Sequence, residues 1–258
     1  MSLNTAHAND NGVLIHSGEQ IILYSDDVTM EFSGQNQQEF KGSKSGRIYL
    51  TTHRMIFNNK KKNDMLKSFS FPFVTMREVG LEQPVFGANY IKGIVMAQPN
   101  GNWSGQAKFK LVFKSGGAID FGQAMLKAAS FAKRNAPYGP PPPYVSPEGP
   151  FHPAPPPAYH PEPNGYYGWV PPTRAFPNAP PPNTVFMTSA PPPYVGIFGP
   201  PSDPYAGASG PPPPDPKAAE AAQSAYYDPN KPQFAYVPPP SYYEHPPSYQ
   251  QAMSKKEQ

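Results

Sequence analysis

Five tyrosines in this chain close the same tetrapeptide, Pro-Pro-any-Tyr. They are Pro141, Pro142 and Tyr144; Pro156, Pro157 and Tyr159; Pro191, Pro192 and Tyr194; Pro239, Pro240 and Tyr242; and Pro246, Pro247 and Tyr249. A proline-rich segment favours the polyproline II helix, with three residues per turn, so the first proline and the tyrosine project from one face. That face presents a rigid pyrrolidine ring and a phenol together, at little ordering cost, to two adjacent aromatic-lined slots. The chemistry is recognition, not bond making.

Chance alone produces some of these matches. At roughly 30% proline, about one tyrosine in ten meets the pattern if residues are placed independently. Thirteen of the 16 tyrosines lie after residue 134, so one or two matches are expected there, and five occur. The repetition reads as a multivalent ligand for WW domains, whose grooves take this geometry.

The rest of the sequence offers little to catalysis. Cysteine is absent, which removes disulfides, thiolate metal sites and thiol nucleophiles together. No phosphate-binding loop, nucleophile elbow or metal-ligand spacing occurs, and nothing calls for a cofactor. The first half holds His7, His16 and His53. His53, beside Arg54 at an expected turn, reads as a solvated turn residue. The dense basic run is Lys60, Lys61 and Lys62, with Lys41, Lys44, Arg47 and Arg54 on the same expected sheet. It has two readings, a patch for phosphoinositides or anionic membrane and a solvated hairpin loop. Net charge is +3, divided as +6 before residue 135 and −3 after it, too weak to indicate direct DNA binding. With no apolar leader and no long apolar run, the chain reads as soluble and intracellular.

Composition divides the chain at residue 134. Of 40 prolines, 37 follow it. Residues 135–258 have too few Leu, Ile and Val to offset the entropy of ordering and read as disordered, with local polyproline II character. Residues 1–134 read as short strands. "QIILY" and "VTMEF" are separated by a turn-like "SDD", and "GRIYLTTHRMIFNN" (46–59) reads as a hairpin. "KSFSFPFVTMREV" (67–79) is two strands or one broken at Pro72. Residues 89–98 and 106–114 form another hairpin, in which Phe109, Leu111 and Phe113 alternate with Lys108, Lys110 and Lys114 around one wet face. Over 120–135 the period becomes helical, with Phe121, Met125, Ala128, Ala129 and Ala132 on a stripe and Leu126 and Phe131 near it. Asp120 is the expected N-cap, and Lys133 and Arg134 suit the C-terminal end of the helix dipole.

"GRIYLTTHRMIF" resembles the hairpin signature of the GRAM domain. "QPVFGANYIKG" (83–93), "GGAIDFGQAML" (116–126) and "KAAEAAQSAYYDP" (217–229) are similar to stretches of the WW domain-binding protein 2 family. The resemblance implies an α+β fold, a pleckstrin-homology-like bent sheet or barrel with one C-terminal helix, followed by the proline-rich tail. It implies a non-enzymatic adaptor and transcriptional coactivator, monomeric, moving between cytoplasm and nucleus. Its implied partners are WW-domain proteins, among them transcriptional coactivators and HECT-type ubiquitin ligases. The rival reading is a membrane-trafficking adaptor whose GRAM domain binds phosphoinositides while the tail recruits ligases.

Overall fold

The longest strand organises the architecture. In a computed structural model of the chain, which describes residues 2–8, 12–135, 142–146, 150–154, 166–181, 183–198, 226–227 and 235–236, strand β4 runs unbroken from Ile21 to Ser33. Where "SDD" led us to expect a turn, the register against β5 (Lys44–Thr51) slips between Ser25 and Val28. The two aspartates sit in a bulge, so the strand bends instead of reversing. This bend lets one strand serve both halves of the sheet.

Before β4 lie β1 (Ser2–Leu3), β2 (His7–Ala8) and β3 (Gly12–His16). After β5 come β6 (Arg54–Asn59), β7 (Ser68–Pro72), β8 (Met76–Glu82), β9 (Tyr90–Met96) and β10 (Gln106–Phe113). They assemble an eight-stranded sheet in the order β1-β7-β6-β5-β4-β10-β9-β8, with every pairing antiparallel. Pro72 closes β7, and a 3-10 turn over Phe73–Thr75 carries the chain to the far edge, where β8 begins. The expected break at Pro72 is therefore present. So is the hairpin expected over 46–59, whose first strand starts two residues earlier at Lys44 and which turns at Thr52 and His53.

Helix α1 spans Ala118–Asn135 and packs on the 73–75 turn, β8 and β9. It follows Gly116 and Gly117, both in the left-handed region (φ +83° and +86°) that suits glycine. Asp120 lies within the first turn, three residues after the N-cap position Gly117, where it still favours the positive end of the dipole. Phe121, Met125, Ala128, Phe131 and Ala132 are buried as the period required. Leu126 is not; it is 43% exposed. Inside the sheet, Phe32, Phe40, Phe69, Phe71, Trp103 and Phe109 stack edge-on and tilted into one aromatic core. The wet face of β10 is as expected, with Lys110 opposite Glu31 across the ladder.

The outer face over β4 to β6 is closed by a second sheet. β12 (Val185–Thr188) pairs in parallel with β3, β11 (His152–Pro153) pairs with β12, and β2 pairs with β3. Between the layers lie Ala6, Val13, Ile15, Ile21, Tyr24, Tyr49 and Ile56, with Val185 and Met187 packed against them. Elsewhere Phe176 packs on Phe113 and Phe121, and Tyr166 and Ile197 join the main core.

The compact unit therefore runs Met1–Ser202, not to the boundary expected at 134. A composition averaged over 124 residues cannot register isolated anchors such as Phe176, Val185–Thr188 and Ile197. A second unit, Asp203–Gln258, contains a short antiparallel pair, β13 (Tyr226–Tyr227) and β14 (Ala235–Tyr236).

Candidate functional site

At one end of the β5–β6 hairpin a complete ion pair is buried. Arg54 begins β6, and Glu19 follows the Ser17–Gly18 turn after β3, so two reversals of the chain bring them together. Arg54 Nε donates to Glu19 Oε1 at 2.8 Å and its Nη2 to Oε2 at 2.9 Å, a bidentate fork. Nη1 donates to Ser70 Oγ and Nη2 also to the Leu14 carbonyl, each at 3.0 Å. Glu19 further accepts the Thr51 hydroxyl at 2.6 Å and the His16 amide at 2.9 Å. Burial alone would raise the Glu19 carboxyl; the Arg54 charge and its hydrogen bonds outweigh that and hold it down at about 2. Arg54, which burial would lower, is raised by Glu19.

Two imidazoles flank this pair. His16 and His53 are both pushed down to about 4, mainly by burial, with the Arg54 charge acting in the same direction. His53 occupies the hairpin turn as read from sequence, but it is buried, not solvated. Its Nδ1 lies 2.8 Å from Thr52 Oγ1. The lid over both rings explains the difference, and the lid is a Pro-Pro-x-Tyr motif. Tyr194 packs edge-on against His16 (centroids 6.4 Å apart), tilted against His53 (6.5 Å), and 6.0 Å from the Arg54 guanidinium carbon. Its hydroxyl lies beside Ser70 without a hydrogen bond of full geometry, and burial raises it well above the usual phenol range.

A second motif is held on the domain as well. The Tyr144 amide donates to the Pro99 carbonyl at 2.9 Å, and Gln98 Nε2 donates to the Pro142 carbonyl at 2.8 Å. Tyr144 and Tyr194 are each only 6% exposed. Pro191 is exposed and Pro192 half-buried. Pro141, Pro156, Pro157, Tyr159, Pro239, Pro240, Tyr242, Pro246, Pro247 and Tyr249 lie outside the described residues.

The basic residues do not form one patch. Lys60, Lys61 and Lys62 are exposed on the loop after β6, where Lys61 and Lys62 line a shallow cavity of about 410 Å³ together with Asn63 and Asp64. Lys44 is buried and paired to Asp64 at 2.7 Å, and Arg54 is in the interior. Both leave the patch because each has a carboxylate partner that the sequence spacing did not reveal. Sequence reasoning also missed Glu19, His16, Thr51 and Ser70 as a set. The one available signal was Arg54 itself, a charge inside the otherwise apolar strand "RMIF".

Residues 14–131 match the GRAM domain family. The chain is 41% identical to human WW domain-binding protein 2 across 92% of its own length and 93% of that protein's, and equally so to the rat protein. The chain belongs to the WW domain-binding protein 2 family. It is also 43% identical to the bovine postacrosomal sheath WW domain-binding protein, over 54% of this chain and 46% of that one. Among solved structures it is similar to the Vps36 N-terminal PH domain (17% identity, 50% of this chain, 93% of that chain, TM-score 0.39). The family's GRAM match spans β3 through most of α1, so Glu19, Thr51, His53, Arg54 and Ser70 all fall within it, while Tyr144 and Tyr194 lie beyond it.

Proposed function

We propose that this protein is a non-enzymatic adaptor that binds WW domains through its Pro-Pro-x-Tyr motifs. The carrying observation is their fivefold repetition in a chain that matches, along 92% of its length, a relative named for WW-domain binding. The polar cluster has no group free for enzymatic work. Glu19 spends its oxygens on Arg54, Thr51 and the His16 amide, and both histidines are held neutral under a side chain. Among the described residues no group of acidic, His or Cys side chains is arranged to hold a metal. Within this reading the partners are the classes the resemblance implies, transcriptional coactivators and HECT-type ubiquitin ligases, met in cytoplasm and nucleus.

Calorimetric titration of an isolated WW domain tests the reading. Binding is expected to the full chain, and none to the chain with all five motif tyrosines changed to Ala. Equal heats from both would sink it.

One observation favours a second role at the opposite end of β6. Lys60, Lys61 and Lys62 share their loop with Met65, which is 57% exposed, a pairing of cations and an apolar side chain that suits an anionic membrane surface. Sedimentation of the full chain with phosphoinositide vesicles should fall when the three lysines become Gln. Unchanged sedimentation would remove this role.

A further inference from the structure

A motif that serves as a WW ligand must offer its tyrosine ring, and the Tyr194 ring already has a slot. Its walls are His16, His53 and the Arg54 guanidinium. They are fixed before any ligand arrives, because Arg54 is clamped by Glu19, Ser70 and the Leu14 carbonyl. A guanidinium near an aromatic ring adds cation–π attraction, larger when water is excluded.

The segment is also pinned on both sides of the ring by its backbone. Before the motif, the Ser17 amide donates to the Ala190 carbonyl at 3.1 Å. After it, the Ile197 amide donates to the Thr52 carbonyl at 2.9 Å, and Asn135 Nδ2 reaches the Ile197 carbonyl at 2.8 Å and the Gly196 carbonyl at 3.3 Å. Gly196 is the tightest contact. A Cβ there would stand 2.5 Å from His53 Nε2 and 2.7 Å from the Thr52 carbonyl oxygen, and the latter is backbone that cannot swing away.

We propose that the GRAM domain carries a docking slot for a Pro-Pro-Pro-Tyr segment, and that the chain's own residues 189–198 fill it and withhold the Tyr194 motif from WW domains. One ring cannot occupy two slots, so WW binding at Tyr194 requires undocking. The apparent affinity then falls by the fraction of time the motif is free; a slot filled nine times in ten costs about tenfold. Tyr144, buried and pinned through the Pro99 carbonyl and the Gln98 side chain, is withheld by its own packing. The chain's WW valency is thereby set by the docking equilibrium and not by the motif count. This consequence rests on the WW-ligand reading; the docking itself does not.

Gly196 lies outside the tetrapeptide, so Gly196→Val separates docking from recognition. The test uses the full chain with Tyr159, Tyr242 and Tyr249 changed to Ala, titrated with an isolated WW domain and compared with the free 186–198 peptide. The chain should bind at least about tenfold more weakly than the peptide. Gly196→Val should bring it within about twofold of a peptide carrying the same change, and Tyr194→Ala should abolish the gain. A chain that binds as tightly as the peptide without Gly196→Val overturns the proposal. Docking is also read without any WW domain, by hydrogen exchange of the Ile197 amide in the full chain. Exchange should be slow in wild type, fast in Gly196→Val and intermediate in Asn135→Ala, which removes only side-chain hydrogen bonds at a half-buried helix end. Fast exchange in wild type overturns docking. Slow exchange together with a free peptide that no WW domain binds would leave docking standing and sink the WW reading at this motif.

Discussion

The inner face of the eight-stranded sheet and its outer face over β4 to β6 are both closed to water, but by different means. Inside, rings and aliphatic chains of the strands fill the space, helix α1 seals it, and Tyr166, Phe176 and Ile197 add to it from beyond the helix. Outside, β3 is joined by strands from residues 152–153 and 185–188, and beside the apolar patch lies a charge pair with two neutral imidazoles. Apolar burial stabilises roughly in proportion to area and tolerates imperfect neighbours. A buried ion pair is stabilised only while every partner is present, since removing one leaves an uncompensated charge. The inner layer therefore determines whether the domain folds, and the outer layer determines what the folded domain holds on to.

The comparison breaks most visibly from the inside. Phe121 is fully buried between Phe113 and Phe176. Phe121→Asp should abolish the cooperative thermal transition, because an unpaired buried carboxylate costs several kcal/mol of the roughly 5–15 that hold a domain together. A melt within a few degrees of wild type would show that the helix is not part of the core.

The next effect is on the outer face. Glu19→Gln leaves the Arg54 guanidinium without its counter-charge and should cost about 3–5 kcal/mol in chemical denaturation. Replacing both partners, Glu19→Leu with Arg54→Met, should cost less than the single change, since no charge is then stranded. If the double variant were the less stable of the two, the pair itself would be a net source of stability.

Acid should sharpen the contrast. His16 and His53 sit at about 4 when buried, below their ordinary 6.5, so the unfolded chain binds protons more readily. Stability is then complete above about pH 6.5 and declines as pH falls towards 4, by up to a few kcal/mol for each imidazole. Glu19, held at about 2 against 4.5, adds a separate loss as pH falls from about 4.5 towards 2. Denaturation midpoints across pH 7 to 4.5 should drop in wild type and drop less in His16→Gln. Equal slopes would mean that His16 is not desolvated by the fold.

The same contrast explains what the sequence could reveal. The alternation in β10 and the stripe of α1 were legible because a half-wet strand and an amphipathic helix write their burial into local spacing. β5 and β6 carried a signal that went unused. Tyr49 and Ile56 face away from Ile48, Leu50, Met55 and Phe57, so both faces are apolar, as strands covered on both sides require. The pairing of Glu19 with Arg54 left no trace beyond the lone charge at the head of "RMIF", since its members are 35 residues apart and neither spacing nor period links them. The bulge in β4 was read as a turn because Asp26 and Asp27 favour turns, and tertiary pairing on both sides overrode them. In the tail, "VFMT" is a β-branched and aromatic run that fits a strand paired on both sides, diluted below notice by the surrounding proline.

The smallest expected effect tests how far helical spacing can be trusted. Leu126 follows Met125 directly, and sequence reading placed it near the buried stripe. At 3.6 residues per turn it points about 140° away from Phe121, while Met125, Ala128 and Ala132 stay within about 40° of it. Its 43% exposure agrees with that geometry. Leu126→Asp should therefore lose only partial packing and some helix propensity, less than about 1 kcal/mol in sum. Ala128→Asp, two residues further and fully buried, should by contrast remove the cooperative transition as Phe121→Asp does. The two variants differ only in the angle at which the same carboxylate is placed on one helix. If Leu126→Asp unfolded the domain as thoroughly as Ala128→Asp, something would have to cover that face of α1, and the inner layer would extend further round the helix than the core drawn above.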